Sequence, residues 1–104
     1  MKIKTDFFQS NIEGEIVNYI QNLENNENTW IVINPGAYTH TSIAIRDALQ
    51  TYSQNNEIVE VHISDINQRE EFRKINLISD ICNKSIIGRG VQGYIEALEY
   101  INEQ

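Results

Sequence analysis

Apolar runs with the spacing of strands alternate along the chain with apolar stripes at the spacing of helices. Residues 3–8, with Ile3, Phe7 and Phe8, suit a strand despite imperfect alternation. Ile12, Ile16, Ile20 and Leu23 then recur at helical spacing, with Ser10 or Asn11 as the cap and Glu13 and Glu15 in a first turn whose dipole favours anions. A polar stretch over 22–29 leads into Trp30-Ile31-Val32-Ile33, a continuous apolar run closed by Asn34-Pro35-Gly36, the pattern of a central parallel strand. The next helix is predicted over 42–52, with Ile45, Ala48, Leu49 and Tyr52 on one stripe and Thr39 or Thr41 as cap. Residues 57–63 read as a strand, 68–72 as a short helix, 77–82 as a further turn and 85–87 as a short strand closed by Gly88. The last helix is predicted over 91–101, with Val91, Tyr94, Ile95, Leu98 and Ile101 as its apolar stripe.

Strands and helices alternating at this spacing favour an open, parallel α/β sheet, with ligands held beyond the carboxyl ends of the strands. At 104 residues the chain is expected to form one domain, 1–104. Eight Lys and Arg against fifteen Asp and Glu leave a net charge of -7, which argues against nucleic acid or an anionic membrane surface as partner. The longest unbroken apolar stretch, Trp30 to Ile33, is far below the ~20 residues that span a bilayer. The lone Cys82 excludes an intramolecular disulfide and a cysteine-based metal site, so the cytoplasm is the expected compartment; Cys82 itself reads as a small buried hydrophobe.

Three places carry chemistry. The loop from Asn34 to Ser42 puts an amide, a histidine and several hydroxyls at the carboxyl end of a strand, where Gly36 allows a close backbone approach. Ordinary turn and cap formation explains most of those residues equally well. In Glu60-Val61-His62 the strand alternation points Glu60 and His62 to one face. A carboxylate there fixes the imidazole tautomer and favours its protonated form, as a general acid requires, although a structural ion pair at a sheet rim has the same spacing. Arg69 and Arg73 follow in Arg69-Glu70-Glu71-Phe72-Arg73, as a solvated charged face or as a fork for a planar anion.

Taken in order, the segments Ile33 to Ser42, Ile45 to Ala48, Val59 to Ser64 and Arg69 to Arg73 resemble the type II dehydroquinases, the 3-dehydroquinate dehydratases of the shikimate and quinate pathways. Phe8 to Asn11, Glu13 to Glu15 and Gly90 to Tyr94 are similar to that family as well, so the likeness runs from about Ile3 to Tyr100. The resemblance implies a flavodoxin-like fold, a trimeric building block often assembled into dodecamers, and dehydration of 3-dehydroquinate to 3-dehydroshikimate with no cofactor and no metal. It implies His62 as the proton donor to the departing hydroxyl and Glu60 as the group that orients it. Asn34, His40 and Arg73 would hold the substrate, Ile63 and Ser64 would bind its carboxylate, and Asp47 would reach into a neighbouring subunit's site.

The family's opening strand, its lid with an arginine and the tyrosine that takes the C2 proton, and its first helix have no counterpart in the sequence. The sheet is therefore expected to hold four strands, with residues 3–8 either sliding over to pair with 30–33 or leaving a gap, and the chain is expected to self-associate. Smaller departures are Ile12 for His, Asp65 for Asn, and Lys74 and Asn76 after the arginine segment. The sequence thus points to a dehydroquinase whose acid half is present, or alternatively to an impaired paralogue that serves as a ligand-binding or assembly subunit.

Overall fold

The structure, a computed structural model, describes residues 3–104. Its helices are α1 (Glu13–Leu23), α2 (Ile43–Tyr52) and α3 (Gln92–Asn102), and its strands are β1 (Trp30–Ile33), β2 (Glu57–His62) and β3 (Lys84–Ile87). All strand pairing is parallel, in the order β1-β2-β3, with Val32 beside Val59 and Glu60 beside Ser85. β2 is the middle strand, and five of its six residues are buried.

Alternation along β2 divides the core in two. Ile58 joins Ile20, Ile45, Leu49 and Tyr52 under α1 and α2, whereas Val59 and Val61 join Ile86 and Ala97 under α3. The stripe expected on α2, Ile45, Ala48, Leu49 and Tyr52, is wholly buried. The cap of α2 is Ser42 rather than Thr39 or Thr41: its hydroxyl accepts the Ile45 N–H at 2.9 Å, while Thr39 is drawn into a 3-10 turn over Gly36–His40. At α1 the N-cap position is Ile12, and Ser10, two residues before it, accepts the Ile12 N–H at 3.0 Å.

Three expectations are corrected. Residues 3–8 form no strand, so the sheet has three strands rather than four, and among the described residues the outer edge of β1 has no partner. Residues 3–8 do not slide over to pair with β1, which leaves the gap foreseen where the family's opening strand has no counterpart: Phe7 is 91% exposed, and Phe8 stacks on Tyr19 of α1 with ring centroids 4.2 Å apart. The helix expected over 68–72 is replaced by two 3-10 turns, Ile66–Gln68 and Glu71–Lys74, the first capped by the Asp65 side chain on the Asn67 N–H.

On α3 the buried residues are Gly93 and Ala97, with Tyr94, Tyr100 and Ile101 packed beside them, whereas Val91 and Ile95 of the expected stripe are exposed. Small residues win that face because the helix lies close on the sheet. A Cβ at Gly93 would meet Val61 Cγ1 at 3.1 Å and Ile86 Cγ2 at 3.4 Å. Among the described residues no helix is long and apolar enough to cross a membrane.

Candidate functional site

At the carboxyl ends of β1 and β2 the chain enters two irregular segments, and a cavity of about 130 Å³ lies between them. Asn34, Gly36, Ala37 and His40 line it from the first segment, His62 from the end of β2, and Ile63, Ser64, Ile66, Arg69 and Arg73 from the second. Asn34, His40, His62, Ile63, Ser64 and Arg73, named above as candidate site residues, therefore line one cavity. Glu60 stands directly behind His62. Asp47 does not join them: it sits exposed on α2 and does not line the cavity.

The first segment is held by its own polar groups. Asn34 Oδ1 accepts the Gly36 N–H at 3.1 Å, an Asx turn that Gly36 completes with a φ of 60°, and Asn34 Nδ2 donates to the Tyr94 hydroxyl at 2.9 Å. His40 Nδ1 lies 2.7 Å from the Ile75 carbonyl oxygen. A carbonyl can only accept, so Nδ1 carries the proton and Nε2 is left for another partner.

β2 places the central pair. Glu60 is 0% exposed and His62 3%, and Glu60 Oε2 lies 2.7 Å from His62 Nε2. A buried carboxylate is tolerable only when its oxygens are bonded, and these are: Ser85 Oγ donates to Oε1 and Asn76 Nδ2 donates to Oε2 at 3.0 Å. Burial pushes the Glu60 carboxyl upward, and the hydrogen bonds from His62, Ser85 and Asn76 outweigh it, holding the group below its ordinary value. Glu60 is thus ionised near neutrality and accepts the proton on His62 Nε2. His62 Nδ1 makes no hydrogen bond with the described residues and is free to act toward the cavity that His62 lines.

Arginines supply the positive charge in a chain of net charge -7. Arg73 pairs through Nε with Glu70, whose carboxyl is held below its ordinary value mainly by that bond, and the guanidinium lies 5.1 Å from the Phe72 ring centroid. These contacts fix the plane of the fork and leave its two terminal nitrogens available. Arg69 and the Ser64 hydroxyl make no side-chain hydrogen bond with the described residues, and the cavity has one wall able to bind a carboxylate.

Sequence reasoning missed Asn76 and Ser85 as partners of Glu60 and Tyr94 as partner of Asn34. Asn76 was visible only as a departure from the family pattern. The other two contacts depend on β2–β3 register and on the seat of α3, which no local pattern encodes. A larger and shallower hollow of about 440 Å³ lies at the amino ends of β2 and β3, lined by residues 53–57 and 80–83. Four of its residues are amides, beside Ser53, Glu57, an Asp80 engaged by Arg46 and a Cys82 thiol that burial pushes up to about 12; no histidine lines it to serve as an acid paired with a carboxylate.

The family described as dehydroquinase class II matches residues 1–102. The 3-dehydroquinate dehydratase of Sulfurimonas denitrificans is 51% identical over 97% of this chain and 64% of its own length. The enzyme of the same name from Francisella philomiragia is 52% identical over 96% of this chain and 68% of its own. Among solved structures, the type II dehydroquinase of Butyrivibrio crossotus superposes with a TM-score of 0.84 at 51% identity, over 90% of this chain and 64% of that one. The type II dehydroquinase of Propionibacterium acnes gives 0.85 at 36% identity, over 92% and 68%. The chain thus spans about two thirds of the length of the proteins it matches, and its parallel sheet covered by helices on both faces is flavodoxin-like. By a family match over nearly every residue, joined to that fold, the chain belongs to the class II dehydroquinases.

Proposed function

We propose that this chain carries the acid half of a 3-dehydroquinate dehydratase site, removing water to give 3-dehydroshikimate. The observation that carries the reading is the buried Glu60–His62 pair, whose free imidazole nitrogen serves a cavity walled by arginine. In the reaction a proton leaves the carbon beside the substrate ketone, the C–O bond to the departing hydroxyl breaks, and protonated His62 gives its Nδ1 proton to that oxygen. Water leaves and the new C=C bond is conjugated with the ketone. Glu60 stays ionised on Nε2–H throughout and fixes the orientation of the ring.

Arg73, Ser64 and the Ile63 backbone bind the substrate carboxylate in this reading, with Asn34 and His40 on its hydroxyls and Arg69 adding positive charge at the rim. No tyrosine is among the described lining residues, and removal of the carbon-bound proton is assigned, by the family likeness, to a tyrosine beyond them. The reading places a single unit, 1–104, in the cytoplasm and in a trimer-based homo-oligomer, in which the exposed Asp47 reaches a neighbouring copy's site. Light scattering is then expected to give a mass above that of one chain.

The reading is tested by the absorbance of the conjugated product when the chain receives 3-dehydroquinate, alone and mixed with a peptide that supplies the family's opening strand and lid. Binding by the chain with turnover only in the mixture is the expected result. Neither binding nor turnover in either sample would refute it.

A further inference from the structure

Glu60 is held from two further elements besides its own strand. Ser85 is its direct register partner on β3, and the hydroxyl reaches Oε1 across the ladder. Asn76 comes from the segment after the Arg73 turn and donates to Oε2, the same oxygen that receives His62 Nε2–H. The Asn76 amide is itself pinned: Oδ1 accepts the N–H groups of Ile78 at 3.0 Å and Ser79 at 2.9 Å, so only its NH₂ can face Glu60. Without these two donors the carboxylate would be buried with one oxygen empty and the other bonded to His62 alone, free to turn about its last torsion.

We propose that Ser85 and Asn76 are positioning residues, clamping the Glu60 carboxylate in the one orientation that receives His62 Nε2–H and so leaves Nδ1 to serve the cavity. The clamp rests on the dehydratase reading only for its effect on turnover; its effect on the Glu60–His62 pair does not. Few other titratable groups bear on Glu60. Cys82 is pushed up to about 12, first by burial and then by Glu60 and Asp80, so it stays neutral near neutrality, and Asp80 is tied to Arg46. Among the described residues His62 is the one basic group bonded to Glu60.

The test uses the intact chain labelled for NMR, in three variants. Ser85→Ala removes one donor at an exposed edge-strand position, Ser85→Thr keeps the hydroxyl, and Asn76→Asp keeps the acceptor for Ile78 and Ser79 while removing the donor to Glu60. The Glu60 carboxyl carbon is titrated, and ring ¹⁵N shifts report which His62 nitrogen holds the proton when the ring is neutral. The clamp predicts that proton affinity at Glu60 rises on the order of 10-fold in Ser85→Ala, which only loses a hydrogen bond to the charged form, and further in Asn76→Asp, which also sets a second carboxylate beside Glu60, so Ser85→Ala is the variant that reads the clamp alone. It also predicts an Nε2–H ring in the parent chain, a growing Nδ1–H fraction in both variants, and restoration of both signals by Ser85→Thr. Unchanged Glu60 titration and tautomer in folded Ser85→Ala and Asn76→Asp would overturn the clamp. Both signals moving while the parent chain neither binds nor turns over 3-dehydroquinate would uphold the clamp and remove the dehydratase reading instead.

Discussion

Glu60 and His62, two positions apart on β2, form a buried pair in which Oε2 receives Nε2–H at 2.7 Å. Their shared direction follows from the pleat, and their burial follows from the central place of β2 between β1 and β3. A proton donor needs a fixed tautomer and a route to its substrate. The pair supplies the first through Glu60 and the second through the Nδ1 side of a ring that lines the cavity.

Replacing His62→Ala in a complemented, active enzyme is expected to abolish dehydration while substrate binding is largely kept, because binding falls to Arg73, Ser64 and Asn34. Glu60→Gln leaves the ring in place and is expected to lower kcat by about 10- to 100-fold with a smaller change in KM. Steady-state rates from product absorbance check both. Unchanged turnover in His62→Ala would remove His62 from the mechanism.

Acid should destabilise the fold through Glu60. Its folded value lies below the ordinary 4.5, so the unfolded chain takes up the proton first, and the contribution is whole above about 4.5 and lost as pH falls through the folded value. Tyr52 acts in the opposite sense: burial raises it above 10.0 against the hydrogen bond with Thr29, so its contribution is present below 10.0 and lost as pH rises through the folded value. Thermal unfolding followed from pH 3 to 11 should show a plateau with losses at both ends. A flat acid limb would contradict the Glu60 assignment.

Cys82 should be almost inert. With its thiol raised from 9.0 to about 12, the thiolate fraction at pH 8 is on the order of 10³-fold below that of an ordinary cysteine. Alkylation by iodoacetamide in the folded chain should be slower by about that factor than in urea. Equal rates in the two conditions would contradict the raised thiol of the half-buried Cys82.

The seat of α3 is expected to be intolerant of bulk. Gly93→Val sets two methyl groups where a bare Cβ already meets Val61 and Ile86 at 3.1 and 3.4 Å, and overpacking of this kind costs about 1 to 3 kcal/mol. Urea unfolding measures the loss; an unchanged midpoint would mean that the helix sits farther from the sheet.

Much of this was legible in the sequence, and what was not has a physical cause. The β2 core and the α2 stripe follow from period alone, which is why Ile45, Leu49 and Tyr52 fall where expected. The motif residues converged because the fold gathers the loops at the strands' carboxyl ends. The 3–8 segment misled because strand composition says nothing about whether an edge is within reach, and Phe8 found Tyr19 instead. On α3 an apolar stripe was visible, but closeness to the sheet selected Gly93 and Ala97 in place of Val91 and Ile95. Ser85 beside Glu60 is a matter of register, set by the whole sheet and invisible in either segment.

The central claim, that 3-dehydroquinate binds at the His62 cavity, is met most directly by titrating that compound into the ¹⁵N-labelled chain and mapping the amide and imidazole shifts. The account predicts saturable changes confined to Asn34–His40, His62–Ile66 and Arg69–Arg73, with the His62 ring among the largest. Changes centred instead on residues 53–57 and 80–83, or no saturable change at millimolar ligand, would contradict it.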